Sequence, residues 1–108
     1  MIQVVASLTI NPEEPQALQA YMDGAMALIE KAGGKVVQTI NLGDAIVGDP
    51  PSELLMLVDY PSYDAVDYVF RSKAYRDIIP HRNKAFLKYN ICLVSKIDGL
   101  GAPASIPA

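Results

Sequence analysis

Glu53-Leu54-Leu55-Met56-Leu57-Val58-Asp59-Tyr60 carries five apolar residues in a row between two acids. A strand that alternates apolar and polar residues buries one face; this one is apolar on both. It therefore predicts a central strand of a sheet whose two faces are both covered. Before it, Gly43 to Ser52 holds Gly43, Gly48, Pro50 and Pro51, which reads as a loop. Lys35 to Leu42 is rich in strand formers and predicts the strand that enters that loop. After it, Pro61-Ser62 opens a helix, with Ser62 as the cap, Asp64 in the first turn and Ala65, Val66, Val69 and Phe70 as its core stripe.

Further out, residues 2–10 alternate. Ile2, Val4, Ala6, Leu8 and Ile10 point one way and Gln3, Val5, Ser7 and Thr9 the other. Asn11 and Pro12 offer a helix start, and Pro15 is tolerated only within the first turn. Leu18, Tyr21, Met22, Ala25, Met26, Leu28 and Ile29 then repeat at helical spacing until Gly33-Gly34. After a turn at Arg71-Ser72, Lys73 to Ile79 predicts a further helical piece that Pro80 interrupts before it restarts through Leu87. Tyr89 to Ile97 is the last strand. The order βαββαβ is the split βαβ, or ferredoxin-like, unit. It predicts an α+β domain over residues 1–98, with a four-stranded antiparallel sheet and the helices on one face. Residues 99–108, rich in Gly, Ala and Pro, are expected to be a flexible tail.

The second sheet face then needs a partner. Val5, Val37, Leu55, Leu57, Cys92 and Val94, or their alternation neighbours, lie there, and a bare apolar face is an interaction surface. The simplest cover is a second copy packed face to face, giving a homodimer. With 108 residues the length allows one domain, and 51% hydrophobic against 19% charged residues excludes general disorder. A net charge of −3 argues against a nucleic-acid partner, which needs a basic excess. No apolar run reaches the roughly 20 residues needed to span a membrane, and the start lacks the basic segment of a signal peptide. One cysteine excludes an internal disulfide framework and fits a reducing, cytoplasmic setting. One His and one Cys leave no expected metal site, and no cofactor-binding motif is present, so no cofactor is expected.

The run from Pro61 to Arg82 resembles the signature of the bacterial "domain of unknown function 1330" family, of the dimeric α/β-barrel superfamily. The matching features are Tyr68, Ser72, Tyr75 three residues on and then Arg82, together with Gly33-Gly34 and Gly48-Asp49. Pro50 departs from the aromatic that many relatives carry after the Gly-Asp pair. The resemblance implies the fold and the dimer. The wider superfamily includes cofactor-independent monooxygenases, isomerases, cyclases and haem-degrading enzymes, and a fold of that breadth assigns no single activity.

Charge narrows where a site lies. Residues 1–70 hold two lysines against ten carboxylates, a net of −8. Residues 71–88 hold six cations against Asp77 alone, a net of +5. A local positive field favours a small anion; a solvated helical face is the alternative reading. Arg82 is the candidate anchor, because a guanidinium grips a carboxylate with two parallel bonds. Tyr68 and Tyr75 can wall a pocket and Ser72 can add a polar contact; the alternative is core aromatics with hydroxyls at the rim. His81, the one group titrating near neutrality, is a candidate proton-transfer residue beside Tyr75, or an exposed histidine. Asp59 can orient His81, pair with Arg82 or cap the Pro61 turn. Asn90 lies on the mixed face of the last strand. Two readings follow. The first is a small cofactor-independent enzyme, isomerase, cyclase or monooxygenase-like, acting on a small organic acid, keto or aromatic compound. The second is a non-catalytic small-molecule-binding or accessory homodimer.

Overall fold

The fold was analysed in a computed structural model, which describes residues 1–95. Seven elements follow in order: β1 (Ile2–Ile10), α1 (Pro15–Lys31), β2 (Lys35–Asn41), β3 (Leu54–Tyr60), α2 (Tyr63–Phe70), α3 (Lys73–Ala85) and β4 (Phe86–Leu93). The four strands form one sheet in the order β2-β3-β1-β4, and every neighbouring pair is antiparallel. This is the βαββαβ unit expected from the sequence, with its second helical segment split into α2 and α3. The expected tail over residues 99–108 lies outside the described residues.

Alternation sorts the sheet into two faces. Val4, Ala6, Leu8, Val58 and Tyr60 are buried with Ala17, Tyr21, Ala25, Leu28, Ile29, Ala65, Val69 and Tyr75 of the helices in one core. On the other face Val5 pairs with Leu57 on one side and Cys92 on the other. There Val5, Leu55 and Leu57 are only half-buried and Cys92 is exposed. The expectation that β3 is apolar on both faces is met, and its second face carries no covering element among the described residues. A register shift between Val36 and Gln38 makes Val37 a bulge residue, so Gln38 and Ile40 continue the open face.

Local chemistry sets the boundaries. Ser62 caps α2, its hydroxyl accepting from the Ala65 N–H at 3.2 Å. Gly33 ends the α1 turn at φ 79°, a conformation costly for any other residue. Gly34 matters through space instead: an added Cβ would stand 2.8 Å from Ile29 Cγ2 and 2.9 Å from Tyr60 Cε1. Tyr60 is 1% exposed and cannot swing away. Gly34→Ala is therefore expected to cost about 1–3 kcal/mol, read as a lower urea midpoint with unchanged slope; an unchanged midpoint would contradict this packing.

Three boundaries differ from the sequence reading. α1 begins at Pro15, not at Asn11-Pro12. Asn11 instead forms a turn, its side chain accepting from Glu13 N–H at 3.1 Å while its own N–H donates to the Ala85 carbonyl at 2.8 Å. α3 runs unbroken through Pro80. Pro80 and Arg76 are both exposed, so water can satisfy the Arg76 carbonyl that lost its donor. There is no restarted helix through Leu87, because β4 begins at Phe86 directly after α3 and ends at Leu93, so the last strand lies earlier than the Tyr89–Ile97 expected.

Candidate functional site

Three elements each deliver one tyrosine to a single point inside the helix side of the sheet. Tyr21 comes from α1, Tyr75 from the first turn of α3 and Tyr89 from β4. Ser72 sets the α3 turn: its hydroxyl accepts from Tyr75 N–H at 3.0 Å and donates to the Val69 carbonyl at 2.9 Å. The hydroxyls of Tyr21 and Tyr75 are 3.0 Å apart, and those of Tyr75 and Tyr89 3.2 Å. Tyr21 and Tyr89 close the triangle with a third hydroxyl contact. Each ring meets Tyr21 edge-on, with centroids 6.1 Å (Tyr75) and 5.6 Å (Tyr89) away.

Arg82 leans over this triangle from the last turns of α3. Its Nη1 donates to the Tyr75 hydroxyl at 3.3 Å, and its Cζ lies 5.1 Å from the Tyr89 ring centroid and 5.8 Å from that of Tyr75. Nη2 reaches Asn83 Oδ1 at 3.4 Å. No carboxylate pairs with Arg82 among the described residues; the ion pairs there are Arg71–Asp67 and Lys73–Asp77, both on exposed helix surface. A guanidinium held by aromatic faces and one hydroxyl retains donors for an anion. Arg82 borders an open cleft of about 600 Å³ between α3 and β4, whose walls also carry Tyr75, Tyr89, Asn90, Phe70 and Ile79.

The environment keeps the hydroxyls of Tyr21, Tyr89 and the neighbouring core residue Tyr60 protonated. Burial raises Tyr21 far above its ordinary range, with repulsion from Tyr89 and the bonds to Tyr75 and Tyr89 adding to it. Burial also raises Tyr89; its bond from Tyr21 and the Arg82 charge pull the other way but do not prevail. Tyr60 is pushed up to about 12, first by burial and then by Tyr75. All three shifts are upward, so the unfolded chain ionises first. The stability they hold is complete below the unfolded value of about 10 and is lost as pH climbs from there toward 12. Denaturant unfolding between pH 8 and 12 is expected to show this decline, and Tyr89→Phe to flatten it; a flat profile in the unsubstituted protein would contradict the assignment.

The residues singled out from sequence fall into five places. Tyr75 and Arg82 meet at the cleft, while Asn90 borders it from β4, where its pairing with Ser7 sets its side chain on the open sheet face. Ser72 caps α3 behind it. Tyr68 sits on α2, 50% exposed, and does not line the cleft, because the turn at Arg71 ends the helix that would have aligned it with Tyr75. His81 is exposed on α3 outside the cleft wall. Asp59 lies on the open sheet face, where it accepts from Gln3 Nε2 at 3.0 Å. Tyr21 and Tyr89 were read only as helix-stripe and strand residues. Their signal was chemical: a tyrosine at a core position needs a polar partner that phenylalanine does not. Among the described residues no group of three metal-binding side chains forms, and no helix is long and apolar enough to cross a membrane.

Comparison with known proteins adds the following. The profile of a domain of unknown function (DUF1330) matches residues 4–97. No curated protein matches. A crystal structure of RPA0582, a protein of unknown function from Rhodopseudomonas palustris, is similar at a TM-score of 0.74 with 20% identity, covering 90% of this chain and 82% of that one. A dimeric protein of unknown function with a ferredoxin-like fold from Bacteroides fragilis gives 0.56 with 6% identity, covering 88% and 95%. An antibiotic biosynthesis monooxygenase structure gives 0.50 with 17% identity, covering 90% and 99%. At these identities the likeness carries the ferredoxin-like fold alone.

Proposed function

Because this chain belongs to the domain of unknown function (DUF1330) family, whose description assigns no activity, we propose its function from the cleft itself: a cofactor-independent site for a small organic acid bearing a keto or aromatic group. The carrying observation is Arg82, which faces the cleft, stacks on Tyr89 and Tyr75 and has no carboxylate partner among the described residues. A ligand carboxylate takes the two-pronged bond that Arg82 leaves open. The ligand's planar part lies against Tyr89 and Phe70, and Asn90 adds a polar contact at the outer wall. The three contacts of the triangle use all three O–H groups, so a Tyr75 or Tyr89 hydroxyl donates to a ligand carbonyl by exchanging one of those bonds for it, and then stabilises charge that develops there. Polarising that carbonyl is the part of isomerase, cyclase or monooxygenase-like chemistry that these side chains supply.

One observation favours a second reading, a binding module without turnover. Among the described residues the cleft wall holds no imidazole or carboxylate to act as a base, since His81 and Asp59 lie elsewhere. Conversion of a bound acid by the purified protein decides for the enzyme.

We extend the proposal to the open sheet face, which a second copy covers in a two-fold dimer. The support is its row of half-buried Val5, Leu55 and Leu57 and the dimeric state of the Bacteroides fragilis neighbour. The first experiment is a thermal-shift screen of small carboxylates, keto acids and aromatic acids. An acid at 100 times its dissociation constant should add about 2.7 kcal/mol of stability. Melting curves unmoved by every acid would overturn the anion site.

A further inference from the structure

The geometry points to a second, inner compartment of this site, which takes a short apolar tail on the bound acid; the inference rests on the reading of the outer cleft as an anion site. Beneath the tyrosines lies a small enclosed cavity of about 40 Å³ between α1 and the sheet. It is several times the roughly 10–15 Å³ that one water needs. Its deep walls are apolar, from Met22, Ala25, Met26, Ile29, Met56 and Val69. The inner cavity and the outer cleft share five wall residues: Val4, Phe70, Tyr75, Tyr89 and Ile91. They are two rooms with one partition, and the bond between the Tyr75 and Tyr89 hydroxyls in it, 3.2 Å long, parts to let a tail through.

The two rooms differ in chemistry along one line. Outside stand Arg82, Asn83 and Asn90; inside, three methionines and aliphatic carbons. A ligand that satisfies both has a carboxylate at one end and a hydrocarbon stub at the other. Water has little to gain inside, because such a cavity offers few polar partners. Methionine side chains are unbranched and adapt their shape, so the inner room can widen around a tail. The volume sets the tail at about two to four carbons beyond the carboxylate. The ligand class is therefore a short-chain aliphatic acid, with or without a keto group beside the carboxylate where the tyrosine hydroxyls reach it.

The test is calorimetric titration of the full chain with the unbranched series acetate, propionate, butyrate, pentanoate, hexanoate and octanoate. Each methylene that enters the inner room should tighten binding about fourfold. The rise is expected to stop near pentanoate and reverse by octanoate. Ala25→Leu fills the inner room and should leave acetate affinity unchanged while abolishing the rise; Met22→Phe does the same from a half-buried position if the first variant does not fold. Binding of all acids with equal affinity overturns the inner compartment and leaves the anion site standing. A rise that continues through octanoate also overturns it, because the tail would then lie along open surface. No binding by any acid, with Arg82→Ala indistinguishable from the unsubstituted chain, overturns both.

Discussion

Leu57→Glu is expected to leave the protein monomeric. Leu57 sits at the middle of β3, opposite Val5 of β1 and Gln38 of β2, on the sheet face that has no covering element among the described residues. In the proposed two-fold dimer each copy would bury a new carboxylate among the apolar Val5 and Leu55 of that face. An unpaired buried charge costs several kcal/mol, and every 1.4 kcal/mol is tenfold in a dissociation constant. The dimer constant should weaken by roughly a thousandfold or more, with two such carboxylates introduced per dimer. The monomer should still fold, since Leu57 points away from the core of Val4, Tyr21 and Val69. Sedimentation equilibrium reads the mass, and circular dichroism reads the fold. A variant that retains the mass of the unsubstituted dimer would place the interface elsewhere, and a monomeric unsubstituted chain would remove the dimer altogether.

Arg82→Ala is expected to weaken binding of the cleft's acid by at least about a hundredfold. A charge-assisted bond contributes about 1.5–3 kcal/mol, and a carboxylate left beside aromatic rings in the cleft also loses solvation. Arg82→Lys should recover part of that loss, because an ammonium keeps the charge but not the two-pronged geometry. The fold should tolerate both, since Arg82 is half-buried and makes no ion pair among the described residues. The expected outcome is lost affinity at nearly constant melting temperature. Equal loss of both would make Arg82 a packing residue, and unchanged affinity in Arg82→Ala would exclude it from the site.

Much of the fold was legible because its signals are local. Five apolar residues at 54–58 announced a strand apolar on both faces, Ser62 announced a cap and Gly33-Gly34 a helix end. The boundaries that moved were set by tertiary contacts. Asn11 is tied to the Ala85 carbonyl, 74 residues away, and so turns before α1 rather than starting it. Pro80 passes through α3 because one lost hydrogen bond on an exposed side is a tolerable cost when the helix is packed along α1. The site was half legible for the same reason. Arg82 and Tyr75 stood out by charge and spacing, seven residues apart on what is one helix. Tyr21 and Tyr89 joined them only through the antiparallel register of β4 on β1, which sets Tyr89 opposite Leu8 on the core face. Tyr68 parted from Tyr75 because a single turn at Arg71 rotated α2 against α3.

The most direct measurement of the central claim is the nitrogen-15 NMR signal of each arginine side-chain Nε–H during titration with a short-chain acid such as butyrate. The account predicts a saturable shift of the Arg82 signal, with Arg71 and Arg76, on exposed helix surface, unmoved. Saturable shifts at Arg71 or Arg76 with Arg82 silent would contradict it, and would move the anion from the tyrosine cleft to the outer surface of the helices.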